Sequence, residues 1–246
     1  MIWLIIGRRT RGKTTLGYYM ARKAAQRLIF DPRGMIGVSG PRVLRVERLI
    51  DLRDRAMPAL MDRELDEVIY APQDDDLTRP FYGFAEMLKW WITEVPRRPL
   101  AVLIDELSFI DQTKRDPAVL RRVLRSCDPA IFDVFITCHR PADIPTNTRG
   151  IADYWVLFHC TQEHDLDVVR DRCNTQTAAT VQSLKGRSFV VWDDAKSTIQ
   201  SFPDSGQSAW HVPLRPGAEP PRSPGQSDAN LSGLVQKDVD TGKLPL

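Results

Sequence analysis

The sequence begins MIWLIIGRRTRGKTTLG over residues 1–17, and this stretch decides the fold. Residues 2–6 are an unbroken apolar run of strand-forming side chains, which predicts a buried β-strand that ends at Gly7. Residues 7–14, GRRTRGKT, then match the phosphate-binding loop pattern G-x-x-x-x-G-K-[ST]. We predict a helix over residues 14–27. A buried strand, a glycine-bracketed loop and a helix in this order are the context that the motif requires, so the sequence predicts a nucleotide phosphate site.

A loop of this kind binds phosphate through its backbone. Its glycines let successive N–H groups wrap around the anion, and the helix N-terminus adds partial positive charge. We expect Lys13 to reach the β- and γ-phosphates of ATP and the Thr14 hydroxyl to ligate Mg²⁺. The predicted nucleotide-binding residues are Gly7, Arg8, Arg9, Thr10, Arg11, Gly12, Lys13, Thr14 and Thr15. The three loop arginines either direct charge towards phosphate or a neighbouring subunit, or are solvated, and the sequence leaves both interpretations open.

Composition narrows the class of protein. With 246 residues, of which 42% are apolar, the chain can form one large domain or a domain plus an appendage. A formal net charge of +2 excludes a globally basic nucleic-acid binder, so any DNA contact must be local or created by subunit assembly. The four cysteines lack metal-site spacing, and Cys138 and Cys160 lie in apolar runs, which predicts buried reduced thiols. No apolar stretch is long enough to span a membrane, so we expect a cytoplasmic protein.

Strand-like and helix-like segments alternate along residues 1–202. The further predicted strands are 27–31, 43–46, 67–71, 100–106 with the two acids at its end, 133–137, 153–159, 187–192 and 198–202. The further predicted helices are 47–65 with a break near Pro58, 81–95, 116–125 with Asp116 as N-cap and Pro117 in its first turn, 163–173 and 177–184. We therefore predict an α/β fold with a mainly parallel sheet, helices on both faces and a closing C-terminal β-hairpin. Residues 203–246 are rich in Pro, Ser and Gly and are predicted to form an extended or disordered tail.

Two further pieces of chemistry follow buried strands. Asp105 and Glu106 end the run LAVLIDE, where Asp105 can hold Mg²⁺ and Glu106 can polarise the water that attacks the γ-phosphate. Thr137 and His139 end the next buried run, FITCHRP, where their side chains can sense the γ-phosphate by hydrogen bonding. Each piece alone is compatible with an ordinary solvated strand end, and their order after the phosphate loop favours a hydrolytic site.

This set of motifs resembles a known family. GRRTRGKT at 7–14, DPRG at 31–34, VLIDE at 102–106 and TCHRP at 137–141 resemble the FtsK/HerA superfamily of P-loop motor ATPases. Within it, the chain is similar to genome-packaging ATPases of viruses and to assembly ATPases of filamentous phage. The resemblance covers residues 1 to about 202, and these relatives commonly have glutamine at the position of His139.

The resemblance implies a homo-oligomeric ring, usually a hexamer, that hydrolyses ATP with Mg²⁺ at subunit interfaces and moves double-stranded DNA through its centre. Carried over, Lys13 and Thr14 bind phosphate and Mg²⁺, Asp105 and Glu106 form the acidic pair, and His139 is the polar sensor. A capsid or virion vertex protein is the implied docking partner, and the implied location is the host cytoplasm or the virion.

The resemblance also implies an arginine finger, a cation that one subunit inserts into its neighbour's site. Arg125 is the first candidate and Arg122 the second, in the helix ahead of the sensor strand. Arginines on an ordinary solvated helix face would give the same sequence pattern. Met35 stands where related motors often place an acid. The arginines between positions 33 and 55 either line a pore or form a solvated face, because acidic residues are mixed among them from Glu47 onward.

Two other functions are compatible with a phosphate loop. A small-molecule or nucleotide kinase is disfavoured by Glu106, because an enzyme that must avoid hydrolysis gains nothing from a water-activating glutamate. An ATPase that drives protein or virion assembly, as in filamentous phage, shares every motif, but those relatives usually carry a membrane span. We therefore expect a DNA-translocating ATPase of the packaging type, with the assembly ATPase as the alternative.

Overall fold

The sheet brings the motif-bearing strands side by side. In the computed structural model, which describes residues 1–38, 40–95, 98–109 and 118–202, nine strands form one sheet. They are β1 (Ile2–Ile6), β2 (Arg27–Phe30), β3 (Val43–Val46), β4 (Glu67–Tyr70), β5 (Leu100–Ile104), β6 (Phe132–Cys138), β7 (Tyr154–Phe158), β8 (Phe189–Asp193) and β9 (Thr198–Phe202). Their order across the sheet is β3-β4-β2-β5-β6-β1-β7-β8-β9.

Neighbouring strands from β3 to β7 are parallel, and β7-β8 and β8-β9 are antiparallel. The predicted mainly parallel sheet with a closing hairpin is therefore confirmed. Because the carboxyl ends of parallel strands meet at one edge, the residues after β1, β5 and β6 lie together. Gly7, Asp105 and His139 are each the first residue past one of those three strands.

Helices cover both faces of the sheet, as predicted. They are α1 (Lys13–Ala21), α2 (Leu49–Asp51), α3 (Met57–Met61), α4 (Thr78–Glu94), α5 (Ala118–Ser126), α6 (Thr146–Gly150), α7 (Glu163–Arg172) and α8 (Thr175–Ser183). Alternate side chains of β1 enter different cores: Leu4 and Ile6 join the core that contains α4, α5, α7 and α8, and Ile5 joins the core that contains α1. A strand buried on both faces explains the continuous apolar run at the start of the sequence.

The sequence-based helix boundaries need several corrections, of which the smallest are at α7, which ends at Arg172 instead of 173, and at α8, which spans Thr175–Ser183 instead of 177–184. Helix α1 ends at Ala21 instead of residue 27, because the chain turns back into β2 at Arg27. The predicted helix over 47–65 is interrupted by the π-helical stretch Leu52–Ala56. There the Met57 N–H donates to the carbonyl five residues before it, that of Leu52, whereas in an α-helix the acceptor is four residues before the donor. Helix α4 begins at Thr78, three residues before the predicted start.

Several smaller expectations are also resolved. Trp91 is fully buried, and the partly buried Trp90 packs against the same core. Cys138 and Cys160 are buried free thiols, as predicted. The predicted N-cap Asp116, Pro117 and the tail from residue 203 lie outside the described residues. Within the described parts of the chain, no helix is long and apolar enough to cross a membrane.

Candidate nucleotide-binding site

The phosphate loop joins β1 to α1 in a tight turn. Thr10 and Gly12 have positive φ angles of 63° and 88°, and Gly12 immediately precedes α1. Glycine adopts such angles without the steric cost of a side chain. The Gly7 N–H donates to the Cys138 carbonyl over 3.1 Å, and a Cβ at position 7 would lie 2.5 Å from the Cβ of Phe158. Backbone geometry therefore requires the second motif glycine, and close packing against β7 requires the first.

Lys13 is the first residue of α1, and only 5% of it is exposed. Its Nζ donates to the Arg8 carbonyl over 3.1 Å and lies 3.1 Å from Nδ1 of His139. Burial lowers the pKa of Lys13, and the charges of Glu106 and Asp105 oppose this shift. The ammonium group thus folds back onto the loop and the histidine, inside the space that the loop encloses for an anion.

Asp105 lies directly after β5 and is fully buried. Its Oδ1 accepts hydrogen bonds from the hydroxyls of Thr14 and Thr137, both over 2.8 Å. Its Oδ2 is buried without a hydrogen-bond partner in the described structure. Burial raises the pKa of Asp105, and the two threonine hydrogen bonds act in the opposite direction. A buried carboxylate oxygen without a partner is costly, so a ligand is expected to supply what the protein does not.

The donor set at this position fits Mg²⁺. Among the described residues, no group of three or more His, Cys, Asp or Glu side chains could hold a metal ion. Mg²⁺ does not need such a group, because it keeps several waters and binds one or two protein oxygens together with substrate phosphates. The Thr14 hydroxyl and the Asp105 carboxylate are hard oxygen ligands: Thr14 Oγ1 lies 2.8 Å from Oδ1, and Oδ2 of the same carboxylate is the oxygen without a partner in the described structure. These are the two residues predicted for the metal.

Glu106 adopts a left-handed backbone conformation with φ of 59° and is 2% exposed. Its N–H donates to the Thr137 hydroxyl over 2.7 Å, which explains how a non-glycine residue is held there. Ser108 donates to Oε1, and Oε2 lies 3.0 Å from Nε2 of His139 and 3.8 Å from Nη1 of Arg33. The carboxylate is therefore fixed by three neighbouring side chains rather than turned to bulk water.

His139 lies between the phosphate-loop lysine and the acidic pair after β5. Nδ1 faces the Lys13 ammonium and Nε2 faces the Glu106 carboxylate. Burial first, and then the charges of Lys13, Arg9 and Arg33, lower the pKa of His139 to about 4. The tautomer with its proton on Nε2 suits the two shorter contacts, because the Lys13 ammonium donates to Nδ1 over 3.1 Å and the Glu106 carboxylate accepts from Nε2 over 3.0 Å. The Arg9 Nε–H also points at Nε2, over the longer distance of 3.3 Å, and in this tautomer it contributes charge rather than a hydrogen bond. The sequence prediction that β6 delivers His139 beside the acids is matched by this geometry.

The loop arginines are not equivalent. Arg8 donates to the Thr161 hydroxyl after β7, and Arg11 donates to the Gly186 carbonyl before β8. Arg9 instead lies with Nε 3.3 Å from the imidazole Nε2 of His139. Two of the three arginines therefore tie the phosphate loop to the C-terminal part of the sheet, and Arg9 is the one that adds charge beside the site.

Arg33 and Ser108 contact Glu106 but were not among the predicted site residues. The turn that carries Arg33 is built by buried Asp31, whose carboxylate accepts hydrogen bonds from the N–H groups of Met35 and Ile36. The DPRG motif was a signal for this turn. Its position next to Glu106 depends on β2 pairing with β5, and the sequence does not state that strand order.

The candidate finger residues lie on the surface of α5. Arg122 and Arg125 are both exposed, and α5 packs against α4 through its opposite, apolar face.

The arginines of the basic stretch between positions 33 and 55 were predicted either to line a pore or to form a solvated face. Arg42, Arg48 and Arg53 form ion pairs with Asp66, Asp51 and Asp54, respectively. Local acids thus neutralise much of this stretch, which favours the solvated-face interpretation.

A cavity of about 170 Å³ borders the first half of the phosphate loop. Its walls include Arg8, His139, Arg140 and Asp165. Asp165 is 3% exposed, and its carboxylate lies 3.1 Å from Nε of Arg140. This ion pair joins the end of β6 to α7.

Solved structures share this architecture. A genome-packaging NTPase, B204 from Sulfolobus turreted icosahedral virus 2 in complex with AMPPCP, superimposes with a TM-score of 0.63 at 16% identity, covering 82% of this chain and 97% of B204. VirB4 of Thermoanaerobacter pseudethanolicus gives 0.56 at 12% identity, covering 82% and 88%. The bacterial conjugative coupling protein TrwB, without its first 70 residues, gives 0.58 at 12% identity, covering 82% and 83%.

This chain has the P-loop NTPase fold. The fold predicted from the sequence is therefore confirmed, and its structural neighbours include the viral packaging NTPase B204, VirB4 and the conjugative coupling protein TrwB. No protein-family model and no curated protein sequence matches the chain. At identities below 20% the likeness concerns the fold, and the chemistry has to be argued from the site itself.

Proposed function

We propose that this protein is a Mg²⁺-dependent ATPase of the FtsK/HerA type that translocates double-stranded DNA, as a viral or phage genome-packaging motor. One observation carries the proposal. Lys13 at the start of α1, Asp105 and Glu106 after β5 and the partly buried His139 after β6 form one cluster at the phosphate loop, in which Lys13 and the two acids are buried. Each supplies a different requirement of phosphoryl transfer to water.

The residues take separate roles. The loop N–H groups and Lys13 bind the β- and γ-phosphates, in place of the Arg8 carbonyl and His139 contacts that Lys13 makes here. Thr14 and Asp105 would hold Mg²⁺, which neutralises charge on the phosphates when bound. Glu106 orients the attacking water and accepts its proton, and His139 donates a hydrogen bond towards the γ-phosphate.

Glu106 favours hydrolysis over phosphate transfer to a small molecule. It is 2% exposed and held by Ser108 and His139, so a water molecule bound to it would have a fixed orientation. A kinase replaces that water with its acceptor substrate and has no use for a buried base that activates water. This observation supports the ATPase over the nucleotide kinase.

We further propose that the motor acts as a ring, most simply a hexamer. Arg122 and Arg125 are exposed, where a neighbouring subunit's nucleotide could meet them, and such a finger raises hydrolysis about 10³- to 10⁵-fold in GTPases. DNA would pass through the ring, and a capsid or virion vertex protein would dock it. Residues 1–202 would then form the motor and residues 203–246 an extended appendage, in the host cytoplasm or on the virion.

The test is the ATPase rate with and without linear double-stranded DNA, with the particle mass measured by light scattering in the presence of nucleotide. Wild type is expected to form a ring-sized particle whose ATPase is stimulated by DNA, and Lys13→Ala is expected to abolish turnover. A monomer whose hydrolysis ignores DNA would overturn the motor and support the alternative, an ATPase for virion or protein assembly. Phosphate transfer to nucleosides would instead identify a kinase.

A further inference from the structure

His139 lies at the meeting point of charges from four parts of the fold. Lys13 approaches Nδ1 from the start of α1, and Arg9 approaches Nε2 from the phosphate loop. Glu106 contacts Nε2 from the end of β5 at 3.0 Å. Arg33, from the turn after β2, acts on the ring through its charge. Three cations and one carboxylate therefore surround a single imidazole.

This arrangement keeps the ring neutral while the phosphate loop holds no anion. Burial and the three cations all oppose a further positive charge, and they lower the pKa of His139 to about 4. The Lys13 ammonium also blocks Nδ1, because it donates its own hydrogen bond to that nitrogen over 3.1 Å. While the ring is neutral, it adds no charge among these groups, just as the neutral amide of a glutamine at this position would add none.

A bound triphosphate would change each of these conditions. Its phosphates bring up to about four negative charges into the loop and compete for Lys13 and Arg9, the two cations closest to the ring. Lys13 must leave Nδ1 to reach the phosphates, which frees that nitrogen. The anion then faces the imidazole from the side where an ammonium group stood before, and an opposite charge nearby favours the charged form.

We propose that His139 takes up a proton from solvent at Nδ1 when a nucleoside triphosphate occupies the phosphate loop. The imidazolium donates from both nitrogens, from Nε2 to Glu106 and from Nδ1 towards the γ-phosphate. This inference rests on the proposed function, because it requires ATP to bind at Lys13. It adds a chemical role that a glutamine at this position could not perform, since an amide side chain stays neutral.

The proton leads to a linked pH dependence. If the bound state holds one proton more than the free state, nucleotide affinity increases as the pH falls through the range between the two pKa values of the ring. The lower of these lies at about 4. Glu106 gains a cationic partner at the same moment that the γ-phosphate arrives, so the ring would report nucleotide occupancy to the catalytic carboxylate.

The experiment is titration calorimetry of the full chain with AMPPCP and Mg²⁺ at pH 6.5, repeated in buffers of low and high ionisation enthalpy. The difference in heat between buffers gives the number of protons taken up. Wild type is expected to take up about 0.5 to 1 proton more per nucleotide than His139→Gln. His164→Gln, which changes an exposed histidine on α7, is the matched control and should behave as wild type.

A second measurement makes the result independent of how well the variant binds. The imidazole ¹H–¹³C signal of His139, assigned by its absence in His139→Gln, should titrate above pH 6 only when AMPPCP and Mg²⁺ are present. Equal proton uptake by wild type and His139→Gln, or an imidazole that stays neutral with nucleotide, would overturn the inference while leaving the ATPase proposal intact. No binding heat from wild type would instead overturn the proposed function.

Discussion

Two buried carboxylates at opposite ends of the same sheet differ in how completely the protein satisfies their hydrogen-bonding capacity. At the amino end of β4, Glu67 is fully buried, and its two oxygens accept from Arg27 Nε over 2.6 Å and from the Tyr18 hydroxyl over 3.0 Å. At the carboxyl end of β5, Asp105 is equally buried, but its Oδ2 has no partner within the described structure. The first site is complete without a ligand, and the second is not.

The difference teaches how to separate structural charges from functional ones. A buried ionised group must be paired or hydrogen-bonded, and the protein does this for Glu67 with its own arginine. At Asp105 the protein supplies two hydroxyls but, among the residues that the structure describes, no cation in contact, and Glu106 follows next in the chain. Leaving such a group incomplete costs stability, so the incomplete end is where we expect Mg²⁺ and phosphate to bind.

The largest effect is expected at the incomplete end, from Glu106→Gln. The amide keeps the size and the hydrogen bond from Ser108 but cannot take a proton from water, so ATP turnover should fall about 10²- to 10⁴-fold. Nucleotide affinity should stay close to that of wild type. Steady-state turnover together with AMPPCP affinity separates the two quantities, and retained turnover would remove Glu106 from the mechanism.

At the complete end, Arg27→Ala should affect stability rather than chemistry. It leaves Glu67 buried beside Tyr18 without its cation, which typically costs about 3–5 kcal/mol in the free energy of unfolding. The control is Arg42→Ala, which breaks an exposed ion pair with Asp66 and should cost less than about 1 kcal/mol. Urea unfolding compares the two, and equal losses would mean that burial does not distinguish these pairs.

Thr137→Val tests the hydrogen bonds beneath the acids. Valine keeps the shape but removes the hydroxyl that donates to Asp105 and accepts from the Glu106 N–H, for an expected loss of about 1–3 kcal/mol of unfolding free energy. Thr180→Val on the exposed side of α8 is the matched control and should change it by less than about 0.5 kcal/mol. Unfolding curves that coincide for the two variants would contradict the role of Thr137.

The smallest effect, and one of opposite sign, is expected for Asp105→Asn. Burial raises the folded-state pKa of Asp105 above that of the unfolded chain, so the ionised carboxylate destabilises the fold. This cost is complete above the folded-state pKa and disappears as the pH falls towards about 4. The variant should therefore raise Tm at neutral pH, by roughly 2–4 °C, with the gain shrinking on acidification. A lower Tm at pH 7 would show that Asp105 is a structural residue like Glu67.

The sequence predicted the elements well because their signals are local. The apolar run before Gly7, the motif glycines and the acids after β5 each lie within a few residues. The contacts of Arg33 and Ser108 with Glu106 were missed. The Arg33 contact depends on β2 lying beside β5, and the Ser108 contact depends on the left-handed turn at Glu106, which favours glycine on local grounds. Pairing across some seventy residues of chain cannot be read from a local pattern.

The arginines between positions 33 and 55 also show that contacts made through strand pairing cannot be predicted from a local pattern. In the sequence, Arg42, Arg48 and Arg53 could equally line a pore or face solvent. Two of their acidic partners, Asp51 and Asp54, are near in sequence, but Asp66 meets Arg42 only through the pairing of β3 with β4. Charge alone did not locate the site, whereas the phosphate-loop motif did, and the buried Asp105 oxygen without a partner in the described structure lies beside that loop.

The most direct test of this account is the Mg²⁺ dependence of AMPPCP binding to wild type and to Asp105→Asn. If the orphaned Asp105 oxygen completes a Mg²⁺ site, Mg²⁺ should strengthen binding to wild type about 10- to 100-fold more than binding to the variant. Binding without Mg²⁺ should differ little between the two. An identical Mg²⁺ gain in both proteins would contradict the claim that the open end of the sheet is built for a metal–nucleotide complex.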